Sequence, residues 1–209
     1  MKKLLRFILP IIVVGFLSYN SVYIKKLSDV KKDVEKSFDA AIFVKGLWEE
    51  KMPVKIDSAV DLHSFIQAIA TDKEAALNKY SNALGIGNYR YAFIKTNATV
   101  STVKEDELLI QIPTADSVAE LILATEYIYG NAIRDASALV EVKDFPNNAE
   151  LNSISEEMNK IVRTTILPSF KKTVKKGDKL NIVAAVELNK EHIKWNGLEL
   201  LPVRLQIVN

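Results

Sequence analysis

The chain has 209 residues, 48% of them apolar and 26% charged, a globular composition that excludes disorder. It has no cysteine, which excludes disulfides, thiolate metal sites, cysteine nucleophiles and a lipidated cysteine, and its seven glycines make glycine-loop chemistry a weak reading. The formal net charge is +2.

Lys2, Lys3 and Arg6 precede the apolar run Phe7 to Leu17, the order of a secretory signal. A spanning helix needs about 20 predominantly apolar residues, and Leu4 to Tyr23 reaches that only by accepting Arg6, Ser18, Asn20 and Ser21. Small residues spaced for cleavage are lacking, and Ser18-Tyr19-Asn20 is a poor substitute. An uncleaved signal anchor over 1–23 is therefore expected in preference to a cleaved peptide. A buried helix of the domain is disfavoured, because a segment apolar all round needs a core on every side. Basic residues flank both ends, and the signal-like placement favours a single-pass protein of the cytoplasmic membrane whose body faces the periplasm or exterior. Without 1–23 the chain carries 25 basic and 26 acidic residues. A nucleic-acid binder neutralises phosphates with a clear basic excess, so none is expected as a partner.

Residues 24–36 form a lysine-rich spacer, and 37–88 read as a subdomain of short helices. Asp39 can cap a helix with Ala41, Val44, Leu47 and Trp48 on one face, ended by Pro53. Asp61 starts a second, with Leu62, Phe65, Ile66 and Ile69 at helical spacing, and Thr71-Asp72-Lys73-Glu74 reads as a capping box for a third. Gly85 and Gly87 stop it. From 89 to 209 the period changes. Strands are predicted over 89–96, 98–104, 107–112, 119–128 and 139–143. A long helix follows, capped by Asn147 or Asn148 and kinked or broken at Pro168, then strands over 179–188 and 198–208 linked across Asn196-Gly197. The fold class is α+β: a helical subdomain, then an OB-like β-barrel with one long helix between strands.

No motif assigns a chemical activity. His63 and His192 are the only histidines, with no metal-ligand spacing, and there is no G-x-S-x-G elbow. Gly85-Ile86-Gly87 lacks the third glycine of a dinucleotide loop, and no cofactor is implied. The pairs Glu49-Glu50, Glu105-Asp106 and Glu156-Glu157 are sequence neighbours that diverge on regular backbone and read as solvated faces. The run Lys171, Lys172, Lys175, Lys176 and Lys179 either complements a helix C-terminus or touches anionic headgroups, the former being preferred. Tyr89, Tyr91 and Phe93 alternate on one face of a strand and read as barrel core before they read as a stacking platform. Tyr127 and Tyr129 repeat that pattern. Arg134-Asp135 can hold a ligand carboxylate, phosphate or hydroxyl, or form a structural pair, which is the preferred reading. Tyr89, Tyr91, Arg134 and Asp135 are the candidate ligand-binding residues, and no catalytic or metal-ligating residue is proposed.

Phe38-Asp39-Ala40-Ala41 with Leu47-Trp48-Glu49, Gly130-Asn131-Ala132-Ile133-Arg134-Asp135-Ala136, Lys143-Asp144-Phe145 with Asn148, and Leu201-Pro202-Val203-Arg204-Leu205 occur in that order. Over roughly residues 36–208 the set resembles a bacterial family of predicted periplasmic lipoproteins, domain of unknown function 2291, the segment from Gly130 to Ala136 being its most specific piece. The resemblance implies a helical subdomain followed by an OB-like domain outside the cytoplasmic membrane. It also implies an accessory role beside a sugar-type ABC transporter, since genes of such proteins tend to lie next to these. It implies no catalytic residue. Two departures stand out: the lipobox cysteine common in the family is absent between Ser18 and Val22, and Tyr129 stands where the family often has arginine. The expectation is a non-enzymatic binding or accessory protein of the cell envelope, partnered by the membrane and by ABC transporter components. The alternatives are an envelope polysaccharide hydrolase, which needs two carboxylates in one cleft, and a direct sugar-binding domain.

Overall fold

The computed structural model describes residues 14–17, 19, 21, 38–83, 87–113 and 118–208. The chain divides into two units, Met1–Phe38 and Asp39–Asn209. In the first, residues 14–17, 19 and 21 are helical and exposed, and Ser21 Oγ donates to the Leu17 carbonyl at 2.6 Å. Most of the expected anchor and all of the spacer lie outside the described residues. Among the described residues, no helix is long and apolar enough to cross a membrane.

The second unit begins with the helices α1 (Ala40–Glu50) and α2 (Met52–Asp57), a two-residue strand β1 (Val60–Asp61), and the helices α3 (Leu62–Thr71) and α4 (Lys73–Tyr80). Local chemistry sets these boundaries. The carboxylates of Asp39, Asp61 and Asp72 accept from the amides of Ile42, Ser64 and Ala75 at 3.0, 2.8 and 3.0 Å, each satisfying a donor that a helix start leaves free. The third cap is thus Asp72, where the capping-box reading expected Thr71. The helix begun at Asp39 ends at Glu50, ahead of Pro53 as expected, and Pro53 then opens α2, because an N–H missing in the first turn removes no hydrogen bond.

Next come the strands β2 (Tyr89–Val103), β3 (Glu107–Pro113) and β4 (Val118–Ala124) and the helices α5 (Ala132–Ser137), α6 (Asn148–Ile161) and α7 (Leu167–Thr173). The strands β5 (Lys179–Asn189) and β6 (Glu199–Val208) complete the unit. The spatial order is β2-β3-β4-β6-β5, and β5 pairs back onto β2, closing a five-stranded barrel. All neighbours are antiparallel except β4 and β6, which are parallel at Ile122↔Glu199 and Leu123↔Leu200. This order, with a helix between the third and fourth barrel strands, is that of an OB-fold.

The two segments expected over 89–96 and 98–104 are one strand. Asn97 pairs with Asn181 across the ladder and interrupts nothing, and a bulge between Val100 and Thr102 bends β2 from β5 onto β3. The helical region covers the remaining edge of β2: β1 pairs with it at Val60↔Ile94, and Asn82 and Tyr91 exchange backbone hydrogen bonds of 2.7 and 2.8 Å.

The barrel core is built from one parity of each strand, including Ala92, Ile94, Ala98, Val100, Leu108, Ile110, Leu121, Leu123, Ile182, Ala184, Val186 and Leu200. Full burial of each large member, such as Ile94 or Leu121, stabilises by about 1.5–3 kcal/mol. Phe170 and Val174 from α7 and its exit join the same core, as do Leu62, Phe65 and Leu77 from α3 and α4. Phe65 meets Tyr80 and Trp195 edge-on at 5.8 and 6.0 Å.

Two expectations are corrected, and of the two alternatives at Pro168 the break is excluded. The strand over 119–128 stops at Ala124, because β3 ends at its partner Glu107, and beyond that pair the Thr125 amide keeps a single bond, to the Asp106 carbonyl in the turn before β3. The segment 139–143 is not a strand: the closed barrel offers it no edge, and it runs irregularly into a 3-10 turn, Val142–Asp144. Pro168 does not break the long helix. The chain passes from α6 through a π-helical stretch, Val162–Ile166, into α7, where Pro168 takes the second position. Widening the turn accommodates the missing N–H and the clash of the ring with the carbonyl four residues earlier.

Candidate ligand cleft around the Arg134–Asp135 pair

The site is built on what lies outside the barrel. With Ala92 and Ile94 pointing inward, Tyr91 and Phe93 face outward, and their burial there corrects the expectation that the aromatic row is barrel core. Helix α5 covers them. It packs on β2, β5 and β6 from one side and on α2 and α6 from the other, and all six of its residues are buried. The turn into it requires glycine, Gly130 having φ +77°. The exit falls on Ala138, at φ +51°.

A helix buried on every side and carrying Arg-Asp must satisfy both charges internally. Asp135 is 1% exposed, Arg134 6%. Arg134 Nε donates to Asp135 Oδ1 at 2.6 Å and Nη1 donates to the Leu151 carbonyl at 3.0 Å. The other carboxylate oxygen, Oδ2, accepts from the side-chain amide of Asn131, which sits one turn back and also accepts the Asp135 amide at 2.9 Å through its own carbonyl. The helix is pinned further by Ser137 Oγ, donating to the Arg134 carbonyl at 2.6 Å, and by the Asn82 amide, donating to the Ala136 carbonyl at 3.1 Å. Arg134 and Asp135 thus form the buried structural pair that is the preferred reading of the sequence.

The pair is nevertheless not sealed. It forms one wall of a cleft of about 310 Å³ lined by Gly87, Tyr89, Tyr91, Asn131, Arg134, Asp135, Val142, Asn148, Leu151 and Asn152. All four candidate residues, Tyr89, Tyr91, Arg134 and Asp135, therefore meet at one place. A second concavity, about 510 Å³, shares Asp135 and Val142 and continues towards Arg90, Ser81 and Lys143.

What remains free in the cleft defines its chemistry. Arg134 Nη2 makes no hydrogen bond among the described residues, which leaves two N–H donors on a guanidinium whose charge Asp135 already balances. Asn148 and Asn152, one turn apart on α6, also have side-chain amides without partners among the described residues, and each presents a donor and an acceptor. Tyr89 is 51% exposed and offers its ring, while Leu151 and Val142 supply apolar wall. Burial pushes the Tyr91 phenol above its ordinary value. A hydrogen bond from Asn131 opposes this, and the nearby carboxylates of Glu187 and Asp135 reinforce it, so Tyr91 is a neutral hydroxyl.

The sequence reading missed Asn131, Leu151 and Asn152 as cleft residues and took Asn148 only as a possible cap. The cap is Asn147, whose Oδ1 accepts the Glu150 amide at 3.0 Å. The i, i+4 pair Asn148 and Asn152 was visible on the predicted helix, but nothing local shows which way that face points.

Tyr127 and Tyr129 lie on the loop that follows β4, with their side chains exposed. Lys171 and Lys172 occupy the last turn of α7, and Lys171 Nζ bonds Glu126. His63 is exposed and pairs with Gln67 at 3.0 Å. Among the described residues, no group of three or more histidine, cysteine or acidic side chains is placed to hold a metal ion.

No curated protein matches the sequence. Among solved structures, the fold is similar to an OB-fold protein from Thermotoga maritima, at 25% identity and a TM-score of 0.72 over 83% of this chain and 100% of that one. The barrel order and its interposed helix agree with that likeness. The ordered motifs fall within residues 12–206, which match the pattern described as "Predicted periplasmic lipoprotein (DUF2291)", and the chain belongs to that family.

Proposed function

We propose that the protein is a non-enzymatic binding and accessory component of the bacterial cell envelope, tethered to the cytoplasmic membrane through residues 1–23, and that its ligand site is the Arg134–Asp135 cleft. The observation that carries this reading is a set of unengaged hydrogen-bonding groups in one cleft: Nη2 of the held Arg134 guanidinium and the exposed Asn148 and Asn152 amides beside the Tyr89 ring. The cleft falls at the small end of ligand pockets. With the guanidinium neutralised and amide acceptors present, it suits a neutral hydroxyl-rich molecule better than a carboxylate or phosphate. That chemistry fits an accessory role beside a sugar-type ABC transporter, and equally the alternative of direct sugar binding.

Nucleic acid is disfavoured on the same grounds. OB-folds hold oligonucleotides on the outer face of their second and third strands. Here those are β3 and β4, whose outward positions include Glu107, Leu109, Gln111, Val118, Glu120 and Ile122, and no residue of either strand is basic. The hydrolase alternative has one supporting feature: burial, then the neighbouring Glu107 and Glu187 carboxylates, raise the Glu199 carboxyl. These acids line neither concavity around Asp135.

Calorimetry of the full-length protein in detergent against glucose, ribose, inositol and inorganic phosphate tests the site. Heat with a neutral polyol, lost in Tyr89→Ala, is expected, and heat with phosphate alone would refute the assignment. Crosslinking and affinity capture from native membranes tests the accessory role, for which co-capture of transporter subunits is the expected result.

A further inference from the structure

The loop between β4 and α5 carries a second feature that the cleft does not use. Its three central residues divide sharply: Ile128 is fully buried, while Tyr127 and Tyr129 on either side are 62% and 59% exposed. The two phenol rings lie nearly parallel, at 26° and 6.3 Å between centroids. The Arg163 guanidinium sits over the Tyr129 ring at 5.2 Å. Arg163 comes from the π-helical stretch and is held by the Ile128 carbonyl and the Glu156 carboxylate. The loop is fixed at both ends: the Thr125 amide bonds the Asp106 carbonyl at 3.0 Å, and the Asn159 amide bonds the Gly130 carbonyl at 2.9 Å. Two exposed tyrosines are thus carried on a backbone pinned at both ends, which lowers the part of the ordering cost of binding that the loop would otherwise add.

We propose that Tyr127 and Tyr129, backed by Arg163, form a stacking platform for the ring faces of a neutral glycan chain. The flanking charges select this occupant. Arg163 is paired with Glu156, and Lys171 with Glu126, so these two cations beside the loop are already neutralised and offer little to the phosphates of a nucleic acid. Glu126 and Gly130 are the outer chain neighbours of the two tyrosines, and Glu156 holds the guanidinium over the Tyr129 ring, so the groups that flank the pair in the chain are polar or glycine. A sugar ring has an apolar face of C–H groups and a rim of hydroxyls, and matches a flat aromatic surface with a polar surround. The platform is independent of the cleft, none of whose lining residues it uses.

The full-length protein in detergent is titrated with cellohexaose, chitohexaose and a single-stranded thymidine hexamer. One of the hexasaccharides is expected to bind, with affinity falling about two- to tenfold in each of Tyr127→Ala and Tyr129→Ala. Tyr127→Phe, which keeps the ring and drops only the hydroxyl, is expected to retain wild-type affinity. Absence of binding by either hexasaccharide, affinity unchanged in both alanine variants, or oligonucleotide binding lost in those variants would each overturn the proposal.

Discussion

Removing either member of the Arg134–Asp135 pair should cost more than removing both. In Asp135→Ala the guanidinium stays buried at 6% exposure, having lost its 2.6 Å carboxylate partner, and the Asn131 amide is stranded with it. Breaking a buried pair from one side costs about 3–5 kcal/mol. In Arg134→Ala the carboxylate keeps only Asn131, and the Leu151 carbonyl also loses its 3.0 Å donor, which adds about 1 kcal/mol. Against a total stability of about 5–15 kcal/mol, either change removes a large fraction. The double variant Arg134→Met, Asp135→Leu leaves no charge buried and is expected to lie well above either single, near wild type if the helix repacks. Urea unfolding of the wild type, the matched single variants Arg134→Met and Asp135→Leu, and the double variant at neutral pH, with midpoints compared at constant slope, completes the cycle. Single variants that each cost under about 1 kcal/mol, or costs that simply add, would refute the view that α5 is held by this pair.

Three further outcomes follow from local features. Ala138→Gly should stabilise the protein by about 1 kcal/mol in urea melts, because Ala138 is exposed at φ +51°, a region that disfavours a β-carbon, and a loss of stability would contradict this. Asp61→Ala should cost about 1 kcal/mol, since it leaves the Ser64 amide uncapped, and Asp61→Ser should recover most of that. Glu199→Gln should raise the melting temperature at neutral pH: burial and the neighbouring acids raise this carboxyl, so the fold favours its neutral form. The wild-type penalty is then absent below the ordinary value of 4.5 and grows as the pH rises through the raised value, so the advantage of the variant should vanish on acidification. An advantage that instead grows on acidification would show the sign to be wrong.

The elements legible in the sequence were those whose cause is local. Asp39 and Asp61 were readable as caps because a cap acts three residues ahead. The alternation in 107–112 and 179–188 was readable because strand side chains repeat every two residues. The α+β class and an OB-like barrel followed from the order of those pieces. Tertiary structure decided everything that depends on a distant partner. A strand ends where its neighbour ends, so 119–128 stops at Ala124, and 139–143, with the barrel closed, stays unpaired. Periodicity placed Tyr91 and Phe93 on one face, but only barrel closure and the arrival of α5 made that face the outer one. The candidate residues Tyr89, Tyr91, Arg134 and Asp135 were nameable in advance. Their meeting with Asn148 and Asn152 depends on how α6 lies against α5, a packing geometry that no local period encodes.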